Sequence, residues 1–202
     1  MSFLSFALKK YATYVFKKRQ KEALDPFKIQ EKLLMKLLNE SKDTLFGKRH
    51  NFNKIESYDG FKKQVPIRDY EGLRPEIQKV IDGASDVLFP GRPLYFAQTS
   101  GTTSGTKYIP VTKSTMLNNK KCAEDAILSY IHHSGNTDPL LGGKVMHMQS
   151  SPELTKKNGV LTGGMGGISF HHVAGYVKKN RLPSYEANII KVFDKKVERI
   201  VE

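Results

Sequence analysis

The sequence predicts an α/β protein, and three observations carry that expectation. Long segments repeat apolar residues at helical spacing, as Phe27, Leu33, Leu34, Leu37 and Leu38 do. Two short runs of β-branched and aromatic residues, 95–97 and 108–111, read as strands. Between those runs lies a cluster of glycine and hydroxyl residues that signals an ordered turn. Helices are therefore expected to pack around strands, with the stretch 95–112 as the organising feature.

Residues 2–24 predict a helix with Phe3, Phe6, Ala7, Tyr11, Tyr14 and Val15 near one side. Lys9, Lys10, Lys17, Lys18, Arg19 and Lys21 stand against one acid, Glu22. Such a basic amphipathic helix can lie on a membrane surface. The ordinary arrangement packs its apolar side on its own domain and solvates the lysines, and no membrane insertion is expected. We treat 1–24 as this helix and 25–202 as the domain proper.

Asp25-Pro26 opens a second helix, with Asp as N-cap and Pro at the first helical position. Its leucines are expected to be core, and Gly47 falls where a helix end or turn would be. Residues 48–60 are polar and show no period. Residues 61–65 are a short helical or extended piece, and 75–81 read as a helix stopped by Gly83. Thr112 is placed to cap a long helix from Lys113 to about His132, whose apolar side includes Met116, Leu117, Cys122, Ala126 and Tyr130. Cys122 accordingly reads as a buried small hydrophobe. Residues 135–143 read as loop, 144–148 as a strand and 183–202 as one helix. The glycines of 162–167 are consistent with tight turns.

The loop itself is informative. Thr99, Ser100, Thr102, Thr103, Ser104 and Thr106 place six hydroxyls in eight positions, with Gly101 and Gly105 between them and Lys107 at the end. Backbone N–H groups, hydroxyls and an ammonium together suit a polyphosphate. The same composition equally describes an ordinary Ser/Thr-rich hairpin loop. A Walker loop is excluded, because that motif needs four residues between its glycines and then Lys followed by Ser or Thr. Here three residues separate the glycines and Tyr108 follows Lys107.

The run Thr99-Ser100-Gly101-Thr102-Thr103-Ser104-Gly105-Thr106-Lys107 resembles the phosphate loop of the adenylate-forming superfamily. Further segments resemble one family within it, the auxin-responsive Gretchen Hagen three family of acyl-acid amido synthetases. These are Thr44-Leu45-Phe46-Gly47-Lys48, Val65-Pro66-Ile67-Arg68-Asp69-Tyr70-Glu71, Phe89-Pro90-Gly91, Tyr108-Ile109-Pro110-Val111-Thr112 and Leu182-Pro183-Ser184-Tyr185-Glu186. The resemblance runs from about residue 25 to the C-terminus.

The resemblance implies the N-terminal part of the large domain of an adenylate-forming enzyme, with helices packed on an incomplete mixed sheet. It implies ATP and Mg²⁺ as cofactors, and small-molecule carboxylic acid and amino acid substrates. Residues 99–107 would hold the ATP phosphates, and Gly166, Gly167 and Ile168 would approach the acyl-substrate pocket. Three features of the family are missing from this sequence: a Tyr-x-x-Ser/Thr-Glu motif, a Thr-Gly-Asp-type motif and the small C-terminal domain. The chain is therefore expected to be inactive alone and to expose apolar surface.

Composition sets bounds on other classes. The formal net charge is +13 at pH 7, which favours acidic ligands without choosing among them. A nucleic-acid-binding domain or a non-catalytic remnant are the alternatives. No zinc-finger spacing or RNP-type aromatic pattern supports the former, and no nucleic-acid partner is expected. Cys122 is the one cysteine, so no internal disulfide can form. No apolar run approaches the roughly 20 residues that span a bilayer. No charge-then-apolar secretory signal opens the chain, and a cytoplasmic location is expected. The pairs His132-His133 and His171-His172 point in different directions on any regular element, which disfavours shared metal ligation.

Overall fold

The structure, a computed structural model, describes residues 2–99, 105–173 and 175–201. The chain forms two compact units, one of Gln20–Leu94 and one of Met1–Arg19 with Tyr95–Glu202. The first helix, α1 (Phe3–Ala23), runs from one unit into the other.

The unit of residues 20–94 is helical. In α2 (Pro26–Ser41) the Asp25 carboxylate accepts from Lys28 N–H with Pro26 at the helix start, as the sequence predicts. Three more helices follow: α3 (Leu45–Arg49), α4 (Tyr58–Gln64) and α5 (Tyr70–Ile81). Each begins with a side-chain cap, from Thr44, Ser57 and Asp69 respectively. The caps at Thr44 and Ser57 give the aperiodic stretch 48–60 more helix than its polarity suggests, and a 3-10 turn without a side-chain cap lies between them at Phe52–Lys54. The Asp69 cap likewise starts α5 before Pro75, which lies inside the helix instead of opening it.

Two expectations for this unit are corrected. Gly47 is buried inside α3, where a Cβ would meet Ser41 O at 2.0 Å. It is there for close approach, not to end a helix. On α2 only Leu38 is buried, while Phe27, Leu33 and Leu37 are exposed. The physical reason is that α3 and the 3-10 turn reach α2 along the edge that carries Leu38.

A buried carboxylate ties the unit together. Glu76, 3% exposed, pairs with Arg49 and lies 3.6 Å from Arg68 Nη1. His50 Nδ1 donates to Gln64 O at 2.9 Å, which leaves Nε2 to accept from Arg68 Nη2 at 3.3 Å. A buried charge needs such partners, since removing one leaves the other unpaired at a cost of about 3–5 kcal/mol.

The second unit holds the sheet. Strands β1 (Tyr95–Thr99) and β2 (Lys107–Val111) form an antiparallel hairpin, with Tyr95 opposite Val111 and Thr99 opposite Lys107. Helix α6 (Lys113–Ser134) follows at once, with Thr112 Oγ1 accepting from Thr115 N–H and Gly135 closing it in the left-handed region. A short α7 (Asp138–Leu141) occupies part of the expected loop, and β3 (Val145–Met146) lies in the expected strand. Then come β4 (Thr155–Lys157), β5 (Val160–Gly163), α8 (Met165–His171), α9 (Gly175–Lys178), β6 (Arg181–Leu182), α10 (Tyr185–Asn188) and α11 (Phe193–Val201). The main sheet has the order β2-β1-β5-β4, with β1 parallel to β5 and the other pairs antiparallel. A separate parallel pair joins β3 and β6. This is the mixed α/β arrangement that the sequence predicts.

Three further expectations fail here for identifiable reasons. The single helix over 183–202 is split into α10 and α11. Asn188, almost fully buried, turns its amide back to donate to Pro183 O and Ser184 O, and such local bonds compete with helix continuation. Cys122 is exposed, as are Leu117 and Tyr130, because α6 buries the side that carries Met116, Leu128 and Ile131. On α1, Ala12 and Val15 pack against Leu128 and Ile131. Phe3, Phe6, Tyr11 and Tyr14 are exposed, not packed on the domain.

Candidate functional site

The parallel pairing of β1 with β5 brings two loops to one end of the sheet. Ala97 lies beside Gly163 in the ladder, so β1 runs on through Gln98 and Thr99 where β5 turns into α8. Both strands point their carboxyl ends the same way, the edge at which ligands bind in many α/β folds. Beneath that edge Ala97, Val111, Met116 and Ile168 form a core cluster, with Tyr95, Leu154 and Met165 packed against it. Ile168 is fully buried within it, which fixes α8 against the hairpin.

Thr99, Gly105 and Thr106 are exposed at the hairpin end, and Lys107 is half-buried as the first residue of β2. Gly105 has φ +80, and a Cβ there would meet no heavy atom within 4 Å, so its role is backbone freedom. The expected phosphate-binding residues Ser100, Gly101, Thr102, Thr103 and Ser104 lie outside the described residues. On the flanking strands, Lys157 Nζ sits 3.8 Å from the Tyr108 ring centroid, and His172 Nε2 lies 3.0 Å from Tyr95 Oη.

The second glycine cluster works differently. A Cβ on Gly164 would meet Ser150 Oγ at 2.3 Å, and one on Gly167 would meet Ser151 O at 2.0 Å. The segment 149–154 therefore runs directly over the start of α8. Gly167 N–H donates to Ser150 Oγ at 3.0 Å, and His171 Nε2 donates to Pro152 O at 2.7 Å. Gly166 is likewise against this segment, with Gln149 Cβ at 2.8 Å from where its own Cβ would stand. These glycines are not tight turns. The residues 149–152 were not singled out by the sequence, and the only trace there is a run of small side chains, Ser150-Ser151-Pro152, before a glycine cluster.

The histidine pairs are held by contacts within the chain. His132 stacks on Phe16 with its Nδ1 at 3.1 Å from Thr13 Oγ1, and His133 Nδ1 donates to Ser129 O. Among the described residues no group of three His, Cys, Asp or Glu side chains gathers to hold a metal ion.

The GH3 family N-terminal domain matches residues 16–196. The chain belongs to the GH3 family. Its match covers most of this sequence, including the hairpin and the β5–α8 junction. Among curated relatives, it is 36% identical over 87 residues to a probable indole-3-acetic acid-amido synthetase of Arabidopsis thaliana, 42% of this chain and 15% of that protein. It is 25% identical over 156 residues to a jasmonoyl-L-amino acid synthetase of Nicotiana attenuata, 76% of this chain and 26% of that protein. Among solved structures, a GH3.15 acyl acid amido synthetase in complex with 2,4-DB superposes with a TM-score of 0.71 at 17% identity, over 81% of this GH3 chain and 29% of that one. The chain thus spans well under half the length of the relatives it matches, and corresponds to an N-terminal portion of them.

Proposed function

We propose that this chain is the phosphate-binding portion of an ATP-dependent acyl-acid amido synthetase. The observation that carries the reading is the T-S-G-T-T-S-G-T-K sequence on the β1–β2 hairpin of a GH3-family chain, followed at once by the Thr112-capped α6. The names of the relatives, which pair indole-3-acetic acid or a jasmonoyl group with an amide or amino acid, point to a small carboxylic acid and an amino acid as substrates. The reaction would take place in the cytoplasm. None of these relatives favours a nucleic-acid-binding function.

The chemistry follows in two steps. A carboxylate oxygen attacks the α-phosphorus of ATP, an acyl–adenylate bond forms and the bond to pyrophosphate breaks. The amine nitrogen then attacks the acyl carbon, an amide forms and AMP leaves with the bonding electrons, while the amine loses a proton. The first step brings two anions together. Fixed donors from residues 99–107 would offset that repulsion and hold the departing pyrophosphate. Lys107 would supply the cation, and Thr99 and Thr106 would add hydroxyls at the two ends of the loop. The acid would approach from the α8 side, by Gly166, Gly167 and Ile168. Mg²⁺ bound with the nucleotide phosphates would offset the same repulsion.

Pyrophosphate–ATP exchange across a panel of carboxylic acids, with the full-length gene product, tests the reading. Acid-dependent exchange is the expected result, and the 202-residue chain alone is expected to give none. ATP hydrolysis that never responds to any acid would replace the ligase with a nucleotidase.

A further inference from the structure

The N-terminal part of α1 is the feature that the proposed chemistry leaves unused. Because Ala12 and Val15 face α6, the opposite side of the helix points outward. On that side Phe3 is 84% exposed, Phe6 54% and Tyr14 63%, while Leu4 and Tyr11 are exposed on the flank nearer Val15. At about 100° per residue, Lys10 and Lys17 share that outer side with Phe3, Phe6 and Tyr14, and Lys18 flanks it. Lys10 Nζ lies 5.5 Å from the Phe6 ring centroid. No acid occurs before Glu22.

The character of this face continues beside it. A groove of about 490 Å³ between α1 and α6 is walled by Tyr11, Tyr14 and Leu117 and edged by Lys18, Lys120 and Lys121. Its acids are engaged, Asp125 with Arg19 at 2.7 Å and Glu124 near Lys120 at 3.8 Å. Residues 3–15 precede the segment that matches the GH3 domain, and Lys17 and Lys18 lie at its start.

We infer that the outer face of α1 binds an anionic phospholipid surface, peripherally and without spanning it. Phenylalanine and leucine side chains have no polar group to satisfy in water, and an interface that takes up their rings and methyls lowers their free energy. Tyrosine suits the headgroup level, with an apolar ring and a polar tip. Lysines on the same side complement acidic headgroups, as basic residues beside an anionic leaflet do. A second copy of this chain is a poor occupant, because it would bring two lysine-rich faces together. A nucleic acid could pair with the lysines and stack on the rings, and the test below separates it from a lipid surface.

Vesicle flotation with the full 202-residue chain tests this. The probes are phosphatidylcholine vesicles with and without about one third phosphatidylserine. Binding to the anionic vesicles and little to the neutral ones is expected. Each lysine near an anionic leaflet is worth about fivefold in affinity, so Lys10→Glu/Lys17→Glu/Lys18→Glu should weaken binding by roughly a hundredfold or more. Phe3→Ser/Phe6→Ser keeps every charge and should still cost at least about tenfold. All these positions are exposed, and an unchanged circular dichroism spectrum confirms that the variants fold. No vesicle binding, equal binding to neutral vesicles, or full binding by the serine variant would each overturn the proposal. The last would reduce it to net charge. Binding of an RNA oligonucleotide through the same residues, with none to vesicles, would reassign the face.

Discussion

Gly105 of the hairpin and the glycines at the start of α8 lie at the same end of the sheet and serve opposite purposes. In the hairpin, Gly105 has φ +80 and open space around it, so its missing side chain gives the backbone freedom. In α8, Gly167 has ordinary helical geometry, and the space of a side chain is filled by Ser151 O at 2.0 Å. One glycine is needed for its torsion angles and the other for its volume. The contrast teaches that glycine content marks a constraint without saying which kind. Only the packing partner, up to 17 residues earlier in the chain for this cluster, distinguishes the two.

The largest effect expected from breaking that contrast is at Gly167. Its obstructing neighbour is backbone, which cannot swing aside, so Gly167→Ala should destabilise the chain by about 3 kcal/mol, at the upper end of overpacking costs. Urea denaturation measures this, and an unchanged midpoint would show that 149–154 does not press on α8. A loop substitution should move chemistry instead. In the full-length protein Lys107→Ala should slow acid-dependent pyrophosphate exchange by roughly ten- to a hundredfold, the worth of a charged hydrogen bond to phosphate. Its melting temperature should hardly change. Wild-type exchange in that variant would withdraw the phosphate role from Lys107.

Gly105→Ala tests the other side of the comparison. The left-handed position should cost about 1 kcal/mol, and Gly105→Asn should recover part of it, because Asn tolerates that region. Equal losses for Ala and Asn would mean that volume matters there too. Comparable in size, Ser150→Ala should remove the hydroxyl that accepts from Gly167 N–H and cost about 1 kcal/mol. Faster exchange of the Gly167 amide hydrogen in that variant would localise the loss.

The smallest effect concerns Asp86, which adopts φ 55 without being glycine. Its carboxylate accepts from Gly91 N–H at 2.8 Å, and that bond, aided by Ser85, holds its pKa below the usual carboxylate range. A group depressed on folding contributes stability above its unfolded pKa and loses it as pH falls through the folded value. Acid titration of stability should therefore show a small loss below the ordinary carboxylate range, and Asp86→Asn should flatten that part of the curve. A wild-type-like slope in the variant would remove Asp86 as the source.

What could be read from the chain was local. The caps at Asp25 and Thr112 were legible because a capping side chain and the amide it accepts from lie three residues apart. The hairpin was legible because its strand-forming runs and turn residues are contiguous. Exposure was less so. Cys122, Leu33 and the aromatics of α1 lie at helical spacing, yet periodicity states that a helix has an apolar side and not whether anything covers it.

By itself, the sequence determined the α/β class, the hairpin with its hydroxyl-rich loop, the long helix behind it and the family to which the chain belongs. Each of these is encoded in neighbouring residues, or in an ordered pattern of residue types that survives without coordinates. The tertiary structure decided which glycines are filled by the segment 149–154, how the buried Glu76 is shared between Arg49 and Arg68, and where Asn188 splits the last helix. It also decided that β1 lies beside β5, which brings the hairpin and α8 to one edge. Those outcomes depend on contacts between residues distant along the chain or on a side chain turning back on its own backbone. Their free energy comes from volume exclusion, burial and desolvation, and these exist only once the chain has closed on itself.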